Sequence, residues 1–141
     1  PEDKIIDTSN NLNVPAYIEN DYLPQAELRL EMYKRLAECK TLNELEILKD
    51  EIVDRFGPFS KTFQNLMELT KLKIISMPLM IKRIIGTTKR IECTFDSESP
   101  ILDDNKTNNV LVFNPQEDNS ILFLQNTFST IISNLKLDEA S

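Results

Sequence analysis

Between residues 41 and 58 the apolar positions recur with helical period: Leu45, Leu48, Ile52 and Phe56 gather into one stripe, with Leu42 and Val53 at its margin. Thr41 followed by Glu44 three residues on forms a capping box that starts this helix. Phe56-Gly57-Pro58 stops it, because Gly57 suits the left-handed residue after a helix and Pro58 cannot continue one. An earlier helix is predicted from Pro24 to about Glu38, with Ala26, Leu30, Tyr33 and Ala37 on its apolar side and Arg29, Lys34 and Arg35 facing elsewhere. A third begins with Ser60 as cap. Its broad surface of Phe63, Leu66, Met67, Leu69, Thr70, Leu72 and Ile74 implies a central position, and Met77-Pro78 ends it. Short turns between the three make an antiparallel cluster the natural packing.

Before these helices, residues 12–14 read as a short strand followed by an extended arm anchored by Tyr17, Ile18, Tyr22 and Leu23. After Pro78 the pattern shortens. Residues 81–85 and 90–95 are rich in β-branched side chains and flank Gly86-Thr87-Thr88, which suits a hairpin. A polar loop over 96–109 leads to two further strand candidates, 110–113 and 121–124, and a last helix is predicted over 127–137 with Phe128, Ile131, Ile132 and Leu135 on one face. The class is α+β: an N-terminal antiparallel cluster of three helices packed with a small antiparallel sheet and a C-terminal helix. Residues 1–9 are expected to be a linker from a preceding region of a longer polypeptide, 10–137 a single domain and 138–141 a tail.

Glu51, Asp54 and Arg55 stand at i, i+3 and i+4, so their side chains share one helical face just before the Phe56-Gly57-Pro58 stop. Glu51 and Arg55 could simply support their own helix, by about 0.3–0.5 kcal/mol. Ile47 favours a docking surface instead: it lies outside the buried stripe, among these charges, and an apolar residue in a polar surround is a common composition for a protein contact.

Composition narrows the chemistry. Sixteen basic and 23 acidic residues leave a net charge of −7, which as a whole repels a phosphate backbone. The chain has no histidine, which removes the commonest general base and the His-dependent nucleophile systems, so no catalytic or metal-binding residue is assigned. Its two glycines provide neither phosphate-cradling nor dinucleotide fingerprints, so no cofactor is expected in this stretch. Asp96, Glu98, Asp103 and Asp104 lack the alternation and central glycine of a calcium loop and read as a solvated loop. Lys71, Lys73, Lys82, Arg83, Lys89 and Arg90 could touch nucleic acid, but no aromatic row interleaves them. Cys39 and Cys93 read as reduced, buried thiols. No apolar run approaches the ~20 residues of a membrane span, so no membrane partner and a cytoplasmic setting are expected.

Ala16-Tyr17-Ile18, Asp21-Tyr22-Leu23-Pro24, the run Leu28-Arg29-Leu30-Glu31-Met32-Tyr33-Lys34-Arg35-Leu36-Ala37 and then Glu51-Ile52-Val53-Asp54-Arg55-Phe56-Gly57-Pro58 together resemble the C-terminal domain of the bacterial transcription-repair coupling factor. The resemblance covers residues 14–78 well and the remainder only in its alternation of elements. It departs at Glu19, Gln25 and Phe59-Ser60. It implies a bacterial ATP-driven DNA translocase that displaces RNA polymerase stalled at lesions and recruits the excision-repair protein UvrA. Within such a protein this domain is not the motor. The resemblance implies an autoinhibitory clamp that folds back on the N-terminal UvrB-like module and masks its UvrA-binding surface, with RNA polymerase and DNA engaged only through the parent. By matching position the clamp contacts fall on Glu51, Asp54 and Arg55, and Ile47 extends that set. The alternatives are a small carboxylate-based enzyme and a direct nucleic-acid-binding module.

Overall fold

A computed structural model describes residues 9–12, 14–87, 89–102, 108–115 and 118–140 of the chain. They divide into two compact units, one of Val14–Ile74 and one that joins Pro1–Asn13 to Ile75–Ser141. The class is α+β as expected, with helices in the first unit and a sheet with the C-terminal helix in the second.

The first unit holds α1 (Ala26–Glu38), α2 (Leu42–Phe56) and most of α3 (Lys61–Ser76). One core unites Met32 and Leu36 of α1, Leu45, Leu48 and Ile52 of α2, and Phe63, Met67 and Ile74 of α3, with Ile18 and Leu23 of the preceding arm. α2 follows its local signals closely. Thr41 Oγ1 accepts from the Glu44 N–H at 3.1 Å, while the Glu44 carboxylate reaches one residue further back than a capping box requires, to the Lys40 N–H at 3.0 Å. Gly57 closes the helix at φ 93°, ψ −176°, a conformation that belongs almost wholly to glycine. Ser60 caps α3 as predicted, its Oγ accepting from the Phe63 N–H at 3.3 Å.

α1 starts at Ala26, two residues later than Pro24 suggests, and buries a different face from the one expected. Leu30 is 69 % exposed and Tyr33, Ala26 and Ala37 face outward, while Met32 and Leu36 are buried and Leu28 packs partly against them. Two i,i+4 rows compete on this helix. The row with two alanines removes less apolar area from water than the Leu28-Met32-Leu36 row, and the larger side chains win.

The arm before α1 is held by backbone and side-chain hydrogen bonds. Arg29 Nη1 donates to the carbonyls of Leu23 and Pro24, at 2.7 and 2.9 Å. The Tyr17 N–H donates to the Thr62 carbonyl, and Thr62 Oγ1 to the Glu19 carboxylate at 2.6 Å. Tyr22 Oη donates to the Gly57 carbonyl at 2.6 Å and its ring meets Phe63 edge-on, so the arm is pinned to the stop of α2.

In the second unit the sheet order is β1-β2-β3-β4: β1 (Ser9–Asn11), β2 (Ile81–Gly86), β3 (Ile91–Phe95) and β4 (Val110–Phe113). β2, β3 and β4 are antiparallel as expected, with Ile84, Cys93 and Leu111 in one row. The predicted strand at 12–14 is displaced to β1, which runs parallel to β2. Its Ser-Asn-Asn sequence carries no apolar alternation, and backbone pairing alone defines it; Leu12, the residue that gave the signal, is buried just beyond. A bulge at Lys82 places Ile81 and Ile84 on the same buried face although they are three residues apart.

The larger correction is at residues 121–124, which form no strand. They open α4 (Ser120–Ala140), which also replaces the expected 127–137 helix and runs into the expected tail. Asn119 is the missed start signal: its Oδ1 accepts from the Leu122 N–H at 3.0 Å, a helix cap. Ile121, Leu124 and Phe128 are buried, and Phe113 of β4 meets Phe123 and Phe128 with ring centroids 6.0 and 6.3 Å apart. Of the expected linker, residues 1–8 lie outside the described residues and Ser9 belongs to β1.

The two glycines are required for different reasons. A Cβ at Gly57 would meet no atom within 4 Å, so Gly57→Ala should cost only the backbone conformation, about 1–3 kcal/mol, read as a lower urea midpoint at unchanged slope. A Cβ at Gly86 would lie 2.3 Å from the Arg90 carbonyl oxygen, so Gly86→Ala should force the β2–β3 hairpin apart and lower the midpoint whatever its dihedral angles.

Candidate docking face

Ile47, Glu51, Asp54 and Arg55 occupy the outer side of α2, opposite its buried Leu45, Leu48 and Ile52. The structure brings all four to the surface, and adds a residue that spacing did not identify. Arg35, in the last turn of α1, grips Glu51 with both arms of its guanidinium: Nη2 donates to Oε1 at 2.8 Å, and Nη1 donates to Oε2. Arg55 donates its own Nη1 to the same Oε2 at 3.3 Å, so two guanidinium groups converge on one carboxylate. The cluster sits at the surface, with about a third of the Arg35 and Glu51 side chains open to solvent. Hydrogen bonds from Arg35 hold the Glu51 carboxyl at about 2, below its ordinary 4.5, with the charges of both arginines adding to the effect.

Asp54 is exposed and, among the described residues, its side chain has no hydrogen bond or ion pair. Arg55 lies with its guanidinium carbon 4.8 Å from the centre of the Phe56 ring, which steadies it against the helix end. Phe56 is half-buried, Gly57 carries the positive φ and Pro58 is exposed, so the predicted stop fixes where the charged face ends. Ile47 is 60 % exposed and forms one wall of an open groove of about 270 Å³, lined also by Arg35, Glu38, Cys39, Glu44 and Leu48. Burial pushes the Cys39 thiol upward, helped by the nearby Glu44 carboxylate, so this lining residue of the groove is a weak nucleophile.

Cys93 is the second free thiol, fully buried in β3 and pushed by that burial up to about 12. In the loop after β3, Asp96 is buried and accepts from the Glu98 N–H at 3.0 Å, which corrects the reading of this residue as solvated; Asp103 and Asp104 lie outside the described residues. Among the described residues no group of three or more His, Cys, Asp or Glu could hold a metal ion. Of the basic residues considered for nucleic acid, Arg90 is committed to Glu92 at 3.0 Å. No described helix is long and apolar enough to cross a membrane.

Fold and face together define a small α+β domain that carries a charged helical surface with an apolar margin. The model of the TRCF domain matches residues 12–106, more than half of the chain, and the chain belongs to that family. It is 40 % identical over 78 residues to the transcription-repair-coupling factor of Haemophilus influenzae, and 35 % identical over 82 residues to that of Escherichia coli K12. These matches cover 55 % and 58 % of this chain but only 7 % of each relative. A crystal structure of the C-terminal domain of a transcription-repair coupling factor superposes with a TM-score of 0.81 at 20 % identity, covering 97 % of both chains, and so shares the fold.

The Glu51 cluster generates a pH signature. Because the folded-state pKa lies below the unfolded value of 4.5, the pair contributes stability above pH 4.5 and loses it as the pH falls from there toward 2. Urea unfolding of the wild type and Glu51→Gln across this window should show a small, salt-sensitive gap that closes on acidification.

Proposed function

We propose that this chain is a non-catalytic regulatory module of a transcription-repair coupling factor. It docks through α2 on the UvrB-like module at the N-terminal end of the same polypeptide and masks the surface that UvrA would use. The parent, on this reading, is an ATP-driven DNA translocase that displaces stalled RNA polymerase. One observation carries the proposal: the Asp54 side chain is displayed without a partner on the same outer face of α2 as the ion cluster and the exposed Ile47, so the face holds unfilled acceptor capacity together with an apolar contact. The carboxylate enzyme is the weaker alternative, because Glu51 is shifted downward and a general acid working near neutrality needs the opposite shift.

The chemistry suits a contact that must release. Charge-assisted hydrogen bonds at a partly wet surface are directional yet modest, and a partner with complementary groups can exchange them. A clamp worth about 2–3 kcal/mol would hold the closed form at roughly 30–150 to one, within reach of the differential binding of an activating partner.

Asp54→Asn gives the cleanest test, since Asp54 supports nothing within the fold. In the full-length protein it should leave the melting temperature within about 1 °C of wild type, the usual scale of a surface substitution, while raising both UvrA binding and ATPase rate. Unchanged UvrA affinity with Asp54→Asn combined with Glu51→Gln would exclude the clamp.

A further inference from the structure

We propose that Arg35 is the positioning residue of the docking face: a guanidinium of α1 that fixes the Glu51 carboxylate for the partner, so that two helices build the surface. This role rests on the docking reading above.

A glutamate on an exposed helical face retains several rotamers, and a single i,i+4 contact such as the 3.3 Å bond from Arg55 does little to select one. Arg35 supplies what that contact lacks. Its planar fork bonds both carboxylate oxygens at once and so fixes the plane of the group as well as its position. The fork is itself carried by a separate helix, whose Met32 and Leu36 share the core of the unit with Leu45, Leu48 and Ile52 of α2. An ionised carboxylate offers about four acceptor positions, and three are filled by the two arginines. A donor from the partner therefore has about one position left, in a fixed direction, and joins the cluster without dismantling it. Arg35 also lines the groove walled by Ile47, so one residue sets the ionic part of the face against the apolar part. Ordering these side chains before the encounter reduces the entropy lost on binding.

The test titrates this chain against the separately produced UvrB-like module, using wild type, Arg35→Lys, Arg35→Gln, Glu51→Gln and the double Arg35→Gln/Glu51→Gln variant, with Ile52→Val as a purely destabilising control. Carboxyl NMR follows the Glu51 titration in each. Arg35→Gln and Glu51→Gln should each weaken binding about three- to fivefold, the scale of a partly exposed charged contact. The double variant should bind no more weakly than either single one, Arg35→Lys should fall between, and Arg35→Gln should move the Glu51 carboxyl upward toward its ordinary range. Arg35→Gln that binds like wild type while Glu51→Gln is weakened would overturn the role. So would multiplying losses in the double variant, which would make Arg35 an independent contact, or an equal loss in Ile52→Val at matched stability. A wild-type chain that does not bind the module would end the docking reading itself, and this role with it.

Discussion

The buried face of α2 fixes where every group on the opposite face can be. Leu45, Leu48 and Ile52 enter the same core as Met32 and Leu36 of α1, and this shared core sets the rotation and register of the two helices. Once they are set, Arg35 in the last turn of α1 stands within bonding distance of Glu51, sixteen residues later in the chain. The stop at Gly57 sets the axial limit in the same way: its glycine conformation ends α2 directly after Arg55 and Phe56, and its carbonyl receives the Tyr22 hydroxyl from the arm. The charged face is thus a consequence of apolar packing behind it and a turn beneath it. Few of its own polar contacts are needed to place it.

This division explains what could be read from the sequence and what could not. α2 was legible from cap to stop because its local signals agree: Thr41 and Glu44 at one end, a single apolar stripe, and Gly57-Pro58 at the other. α1 offered two apolar rows, and periodicity cannot rank them without knowing which the neighbours will cover. The run Ile121-Leu122-Phe123-Leu124 was ambiguous in a different way, since four apolar residues fit a buried strand or a helix end equally well and only the Asn119 cap decides. β1 had no side-chain signal at all. Of the candidate site, the members on one helix were visible as i, i+3, i+4 spacing, whereas Arg35 was not, because no local rule reports a pair between helices. Its family assignment rested on residues 14–78, the stretch that contains α1 and α2, and the TRCF domain match over 12–106 includes it.

Electrostatics shape the kind of contact this face can make. The chain carries a net charge of −7, yet Arg35 and Arg55 outnumber Glu51 within their own cluster, and Asp54 restores an acid beside it. The local pattern therefore alternates in sign over a few ångströms while the distant field is negative. A patterned surface of this type discriminates by registration, since a shift of one helical turn would set like charges together. It also weakens with salt, as partly exposed pairs do.

Local pairing of Glu51 does not argue against a docking role, because exposed ion pairs are worth little to a fold. A surface bridge chosen only for stability would gain almost as much from the i,i+4 partner Arg55 alone, with no need for a second arginine from another helix. A bidentate grip at a site one-third open to water returns its largest benefit as geometry: two nitrogens of the one Arg35 guanidinium hold the carboxylate still. Such rigidity has no value to the interior, where Ile52 and its neighbours already secure the helix pair. It acquires value when something outside must meet that carboxylate in one orientation, and the unpaired Asp54 and exposed Ile47 on the same side of α2 mark where that meeting would occur.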